Sequence, residues 1–500
     1  MQVLKKILST SQLGNTDDFT IKSNNITSLE LMENAANSFM NAMDKMHYST
    51  KKIAVICGTG NNGGDGFAIC RLLRNKGVDV KAALVKCNET LSKDCRANLN
   101  LLDDFSVLLP ESELPDFSNV DLIIDGIFGT GLTRPVTGFV AKVIEAINNS
   151  GKVVYSIDVP SGLNCDGISN SEYIIESDHV ITFQRPKLSF FFPENGAYVR
   201  NWVVVGIGLD ETWIQEQNST YFVLDESIRN HVKIRQIQSH KGTYGHALLV
   251  AGSYGKMGAA VLSAKACLKS GTGLLTTHVP KCGYEIMQIS APEAMCSIDE
   301  NLKILTEVPE LKQYNSVGIG PGIGKSPETV KLLETILRIS TSSLVLDADA
   351  LNILAENTEL LKLLPQNTIL TPHIKEFDRL VGESINTPER LKKQREFAKK
   401  HKVIVVLKDA NTCVSSVDGK QFFNTSGNPG MATGGSGDVL TGIITGLLAQ
   451  NYEPLHAALI AVYFHGAAGD RASAIKGYNA LIASDICDHL FIERIRAAPT

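Results

Sequence analysis

Short apolar runs alternate with helix-period patterns along two long stretches of the chain, and a weaker polar stretch separates them. In the first stretch, residues 52–57 (KIAVIC) read as a buried strand. A glycine-rich turn follows, and residues 67–74 repeat apolar side chains at helical spacing. Further strands are predicted at 80–85, 121–125, 153–158 and 179–183, with helical patterns between most of them. Strand and helix in alternation predict a parallel, doubly wound α/β sheet. Residues before about 50 read as helices packed on this domain. The second stretch opens at 241–245 and predicts strands at 246–251, 274–279, 317–320, 344–347, 368–371 and 404–407. Its end turns helical, at 438–450, 454–474 and 479–494. Residues 210–240 are mixed and polar apart from a brief strand at 221–224, so the expected domains are 1–215 and 225–497.

Composition narrows the class. The 500 residues are 43% hydrophobic and 20% charged, a soluble globular profile too long for one core. A net charge of −5 gives no basic footprint, so no nucleic-acid partner is expected. No apolar run reaches the roughly 18 residues of a membrane span, and the N-terminus lacks the apolar centre of a signal peptide. The ten cysteines form no CxxC and lie mostly in apolar segments. That predicts buried, reduced thiols in a cytoplasmic protein rather than a zinc site.

The candidate chemistry begins at Gly58-Thr59-Gly60-Asn61-Asn62-Gly63-Gly64-Asp65-Gly66, which follows a strand and opens a helix. Gly58, Gly60 and Gly63 satisfy GxGxxG, and a helix N-terminus there suits a phosphate. The dinucleotide fingerprint also asks for an acid after the second strand, where Lys86 follows Val85, so that part fails. Two more strands close on residues 125–132 (DGIFGTGL) and 156–162 (SIDVPSG). The Asn, Asp and Ser side chains of three such loops would converge at the carboxyl ends of parallel strands. Such oxygen ligands suit a hard cation, although each Asp alone also suits a cap or turn.

In the second domain, Gly320-Pro321-Gly322-Ile323-Gly324-Lys325-Ser326 imitates a P-loop. Walker A needs glycine five positions before Gly324, where Ile319 stands, so the register fails. Gly434-Gly435-Ser436-Gly437-Asp438 has a better context. Its glycines let consecutive N–H groups face an anion, and an apolar helix starts at once. Asp438 beside that nest is better placed as a general base for a hydroxyl than as a phosphate ligand, the alternative being an N-cap. Residues 347–352, 371–377 and 408–409 add a polar rim at strand ends. Alone, these motifs also fit a ribokinase-like small-molecule kinase fused to an accessory domain, or a nucleotide-binding scaffold without catalysis.

Over nearly its whole length the chain resembles the bifunctional NAD(P)H-hydrate repair enzymes. GTGNNGGDGF, DGIFGTGLTRP and SIDVPSGL resemble the Rossmann-like NAD(P)HX epimerase domain. KGTYGHALLVAGS, GIGPGIG, LDADALN, TPHIKEF and GGSGDVLTG resemble the ADP- or ATP-dependent NAD(P)HX dehydratase, a ribokinase-like α/β fold. The resemblance implies NADHX and NADPHX as substrates, hydrated at the nicotinamide C5–C6 double bond. It implies that one domain interconverts R and S epimers. The other uses a nucleotide phosphoryl group to drive loss of the hydroxyl from the S form, ADP giving AMP and phosphate.

The same resemblance assigns residues. Asn61, Asn62, Gly63, Gly64, Asp65, Gly129, Thr130, Gly131, Leu132, Thr133, Arg134, Pro135 and Asp158 would line the epimerase pocket, with Asp158 the first candidate for proton transfer. Potassium would fall at Asn62, Asp125 and Ser161. Gly258, Gly322, His373, Ile374, Lys375, Glu376, Phe377, Asp378 and Arg379 would contact the hydrate in the dehydratase. Lys408, Asp409, Ala410, Asn411 and Thr412, with residues 427–437 including Gly434, Gly435, Ser436 and Gly437, would hold ADP or ATP with Mg2+. Asp438 would act as base on the hydrate hydroxyl. A homo-oligomer is expected, and no membrane partner. Two departures stand out. Ile374-Lys375 occupies a place where the family pattern has Pro-Gly, which predicts a stiffer and more charged loop. Ala35-Ala36 stands where a glycine is expected at one position, a small change in a helix.

Overall fold

A computed structural model of the chain describes residues 4–44, 50–110 and 113–494. It holds two compact units, Lys6–Ser219 and Met1–Lys5 with Thr220–Thr500. Residues 1–3, 45–49, 111–112 and 495–497 of the expected domains lie outside the described residues.

The chain opens with a short strand, β1 (Lys5–Ile7), and two helices, Thr10–Ser23 and Ser28–Met43. Both helices start at reciprocal capping boxes, Ser9 with Gln12 and Thr27 with Glu30. The sheet of the first unit contains β2 (Ile53–Cys57), β3 (Val80–Val85), β4 (Ser106–Leu108), β5 (Leu122–Gly126), β6 (Val153–Ile157), β7 (His179–Phe183) and β8 (Trp202–Val205). All pairings are parallel, in the order β4-β3-β2-β5-β6-β7-β8. The central strands β2 and β5 are buried along their whole length, which explains the unbroken apolar run of β2 and makes Asp125 of β5 a buried carboxyl. The chain moves outward from β2 to β4, then restarts at β5 on the other side of β2. The carboxyl ends of β2 and β5 therefore flank a topological switch point.

The second unit repeats this logic. Its strands are β9 (Tyr221–Leu224), β10 (His246–Val250), β11 (Leu274–Pro280), β12 (Met295–Asp299), β13 (Ser316–Ile319), β14 (Ser343–Leu346), β15 (Ile369–Leu370), β16 (Ile404–Leu407), β17 (Cys413–Ser415) and β18 (Gln421–Asn424). The eleven-stranded order is β1-β9-β18-β17-β16-β15-β14-β13-β10-β11-β12. The run from β16 to β12 is parallel, and β17 is antiparallel to both neighbours. Here the switch point lies between β10 and β13, because β11 and β12 extend one side and β13 restarts on the other. The Ser436–Ala449 helix is buried from Val439 to Ala449, so it is apolar on every face rather than along one stripe.

The expected α/β class holds in both units. Three differences have physical causes. The Asn61–Asn75 helix begins inside the glycine loop, well before the apolar pattern at 67–74, because its first turn is polar and glycine-rich. The expected helix at 479–494 shrinks to Ala483–Asp488; Leu481 and Leu490 are buried without being helical, which imitated the period. The strands β1, β4, β8, β12, β17 and β18 were not predicted: all are short, and β1, β4, β8 and β12 are edge strands. All ten cysteines are free. No helix among the described residues is long and apolar enough to cross a membrane.

Candidate active sites

In the first unit a cleft of about 1120 Å³ opens at the β2/β5 switch point. Close approach of three backbones builds it. A Cβ on Gly63 would lie 1.9 Å from the Gly58 carbonyl oxygen, and one on Gly58 would lie 2.0 Å from that of Ile127. The Asn61–Asn75 helix has Gly60 as N-cap and no side-chain cap. Its first amides are therefore not capped by a side chain beside the cleft.

Asn61, Asn62, Asp65, Asp158 and every residue from Gly129 to Pro135 line this cleft. Gly63 and Gly64 do not; they serve packing, and a Cβ on Gly64 would meet Met32 at 2.9 Å. Asp158 has a left-handed φ of 64°, a strained setting for a residue with a side chain. Its Oδ1 accepts from Thr182 Oγ1 and the Phe183 amide, each at 2.9 Å, and pairs with the buried Lys187 ammonium at 2.7 Å. Burial, then the charges of Asp158, Asp17 and Asp94, hold the Asp65 carboxyl well above its usual range.

Asn62, Asp125 and Ser161, the residues of the cation expectation, lie close together. Asn62 Nδ2 donates to the Phe128 carbonyl at 3.0 Å, and the Phe128 amide donates to Ser161 Oγ at 2.8 Å. Ser161 Oγ donates to Asp125 Oδ1 at 2.5 Å, and the Ser161 amide to Oδ2 at 2.9 Å. Amide, carbonyl, hydroxyl and carboxylate oxygens thus belong to one connected network. Asp125 is fully buried, with no ion-pair partner among the described residues, and burial pushes its carboxyl up against the Ser161 hydrogen bonds.

Sequence reading missed the cleft's other wall. The Thr10–Ser23 helix contributes Ser11, Gly14, Asn15, Asp17, Asp18 and Ile21. Lys187 was also missed; its signal is a lone lysine entering the apolar run 188–192. Ala35 and Ala36 are buried within a helix, so their methyl groups are accommodated.

The second unit gathers polar groups at the carboxyl ends of β14 and β16. Lys408 Nζ lies 2.8 Å from Asp347 Oδ1, and Thr441 Oγ1 donates to Asp347 Oδ2 at 2.7 Å. A Cβ on Gly437 would lie 3.0 Å from Lys408 Nζ, so glycine lets the helix start approach the ammonium. Gly435 has φ 91° and no side-chain cap hydrogen bond. Burial first, and then Asp347, push the Asp438 carboxyl up to about 7, with Lys408 opposing. Burial would lower Lys408, but Asp347 and Glu376 outweigh it and raise its ammonium above the usual value. His465, lowered to about 4 by burial, is neutral and donates Nε2–H to the Ser436 carbonyl at 3.0 Å. A second anchor, Asp470, accepts from the Gly427 amide and from Asn428 Nδ2, each at 2.9 Å.

Gly322 has φ 67°, and its carbonyl accepts from Ser253 Oγ at 2.6 Å. A Cβ on Gly258 would meet open space. His373 caps the Ile374–Val381 helix and exchanges hydrogen bonds with Glu376, while the Lys408 amide donates to the Pro372 carbonyl at 2.8 Å. Ile374 and Lys375 thus form a first helical turn, with Lys375 exposed. One side chain of this stretch, Phe377, turns away from the expected contact surface. Helical rotation turns Phe377 into the core, fully buried against Phe397, and Asp378 lies 3.8 Å from Arg390 Nε. Arg379 is held by Asn352 at 2.6 Å. Residues 408–412 form the turn from β16 to β17, where Thr412 Oγ1 donates to the Asp409 carbonyl at 3.4 Å and the Ala410 amide to Asp409 Oδ1 at 2.7 Å. Asn411 is half-buried in the same turn.

Comparison with known proteins fits this division. Residues 28–189 match the family model described as YjeF-related protein N-terminus, and residues 247–491 that described as NAD(P)H-hydrate dehydratase. The bifunctional NAD(P)H-hydrate repair enzyme Nnr of Moorella thermoacetica is 35% identical over 507 residues, covering 97% of this chain and 96% of that one. Its counterpart in Escherichia coli is 30% identical over 470 residues, covering 92% and 88%. The ADP/ATP-dependent NAD(P)H-hydrate dehydratase of Bacillus subtilis, co-crystallized with ATP/Mg2+, is 31% identical with a TM-score of 0.46, covering 53% of this chain and 94% of that one. The chain belongs to the family of bifunctional NAD(P)H-hydrate repair enzymes.

Proposed function

We propose that this chain repairs hydrated NADH and NADPH, the first unit interconverting the R and S epimers and the second dehydrating the S epimer with ADP or ATP. The observation that carries the reading is Asp438: a carboxyl lifted to about 7, in the first turn of a glycine-started helix, beside the Lys408 ammonium. A base with that affinity for protons takes the hydrate's hydroxyl proton at neutral pH. The oxygen then attacks the terminal phosphoryl group. Lys408 and the glycine amides stabilise the charge that builds on it. Phosphate then leaves with the C–O electron pair where hydroxide would not, the adjacent ring carbon releases a proton to solvent, the C–H pair restores the double bond, and ADP is left as AMP. Mg2+ would arrive with the nucleotide and neutralise phosphate charge. His373, Glu376, Gly258 and Gly322 are assigned to the hydrate, and residues 408–412 and 427–437 to the nucleotide.

In the first unit, Asp158 is assigned to proton transfer and the residues lining the cleft to the substrate. Asn62, Asp125 and Ser161 would hold K+, which supplies a fixed positive charge at the switch point. The protein is assigned to the cytoplasm, as a homo-oligomer.

The test uses mixed R and S NADHX with ADP, followed by absorbance at 340 nm. Recovery of the whole mixture is expected. Recovery of the S fraction alone, beyond the spontaneous rate, removes the epimerase assignment. Loss of any nucleotide-dependent recovery removes the dehydratase assignment.

A further inference from the structure

The Thr10–Ser23 helix precedes the region that matches the N-terminal family model, residues 28–189. It nevertheless forms a wall of the first unit's cleft, and its lining residues recur every three or four positions on one helical face. The opposite face is anchored. Leu13, Thr16 and Thr20 are buried, Thr20 Oγ1 accepts from the Asp210 amide at 3.0 Å, and Phe19 stacks on Trp213 at 4.1 Å. Asp17 is therefore presented to the cleft from a rigid element.

Asp17 and Asp158 share this cleft in opposite settings. Asp158 is ion-paired with Lys187 and accepts two further hydrogen bonds. The forces on Asp17 are burial and charge alone, with no hydrogen bond to its carboxyl among the described residues. An unpaired buried carboxyl facing an ion-paired one suits the division between acid and base.

The chemistry of the substrate asks for such a pair, on the epimerase reading above. Hydrating an enamine places the hydroxyl on the carbon that bears nitrogen. Changing the face of that hydroxyl requires breaking the C–O bond. We propose that Asp17 is a catalytic acid of the epimerase site and protonates the departing hydroxyl of the hydrate. The C–O electron pair leaves with the oxygen, which takes the Asp17 proton and departs as water. The ring-nitrogen lone pair becomes the second C–N bond. A water then adds to the other face, the C=N pair returns to nitrogen, and the surplus proton passes to Asp158. Each turnover moves one proton from Asp17 to Asp158. The reverse turnover, or solvent in the cleft, restores it.

Burial first, then the Asp158 and Asp18 charges, push the Asp17 carboxyl up to about 7 against the pull of Lys187. That setting favours a protonated carboxyl near neutral pH, as an acid on this reaction requires. The other charged groups facing the cleft are Asp65, Asp94 and Arg134.

The experiment measures R-to-S conversion by chiral separation without nucleotide, on the full chain and on Asp17→Asn, Asp17→Glu and Asp65→Asn. Asp17→Asn is expected to lower kcat about 100-fold while the melting temperature of the first unit and the dehydration rate of the S epimer stay unchanged. Wild-type kcat/KM is expected to fall above about pH 7, the residual Asp17→Asn rate to lack that limb, and Asp17→Glu to regain activity with the limb moved. Near-wild-type epimerisation by Asp17→Asn overturns the proposal and leaves the epimerase reading standing. So does an alkaline limb that disappears in Asp65→Asn and persists in Asp17→Asn. A wild-type chain that does not accelerate interconversion overturns both.

Discussion

Lys408 and Asp347 form an ion pair of 2.8 Å at the floor of the second site, and Thr441 holds the far oxygen of the same carboxylate. Asp347 is 1% exposed and Lys408 21%. The pair fixes the position of the ammonium and adjusts the proton affinity of Asp438, which burial raises first. Asp347→Asn should destabilise the chain by about 2–4 kcal/mol, since it leaves a largely buried ammonium unpaired. It should also move the rise of dehydration kcat/KM to lower pH, because the Asp347 charge helps lift Asp438. A pH profile unchanged in position, with only the rate reduced, would show that Asp347 does not tune the base.

Asp438 should trade stability for chemistry. Its carboxyl binds a proton near pH 7 in the folded chain, against an ordinary value of 3.8. The folded state therefore holds the proton more tightly. Stability that is fully present below about pH 4 is lost as pH rises toward 7, and stays lost above it. Asp438→Asn removes that loss. It should abolish dehydration, leave epimerisation intact, and melt higher than wild type at pH 8 by about 1–3 kcal/mol, the difference vanishing near pH 4. Thermal melts at both pH values decide this.

Gly63→Ala tests whether the glycine loop is packing or merely flexible. Its Cβ would sit 1.9 Å from a backbone carbonyl that cannot swing aside, so the helix must move away from the β2 loop. A loss of about 1–3 kcal/mol and of epimerisation is expected, with dehydration retained. Gly60→Ala meets nothing within 4 Å and should leave the melting temperature unchanged. Equal melting of the two variants would sink the close-approach argument.

The parallel strands were legible because burial on both faces writes continuous apolar runs, as in β2 and β16. The Gly-Asp signature at Asp438 was legible because local chain geometry makes a helix N-terminus. Lys187 and Asp17 were not. Each depends on segments distant in sequence that meet only after folding, and a polar residue on a surface helix looks the same whether it faces solvent or a cleft. Phe377 shows the converse error. A motif read as one contiguous contact surface winds into a helix, and its periodicity sends one residue to the core. His465 and Asp470 were hidden for a third reason: they support the loop at 427–437 from a helix that carries no motif of its own.

The cation expectation at Asn62, Asp125 and Ser161 can be checked without any assay of activity. Asp125 is a fully buried carboxylate whose partners are hydroxyls and amides, with no cationic side chain among the described residues. A monovalent cation bound there would act on the folded state alone. At 100 times its dissociation constant it would add about 2.7 kcal/mol of stability. K+ should therefore raise the melting temperature of the first unit more than Li+ does at equal ionic strength. Burial raises the Asp125 carboxyl, so at low pH the proton competes with the cation for the same oxygens. The K+ effect should consequently weaken as the pH is lowered. Asp125→Asn keeps the shape and removes the charge, and should abolish the K+ dependence. A melting temperature that responds equally to K+ and Li+, or an Asn variant that keeps the wild-type response, would remove the cation from this site.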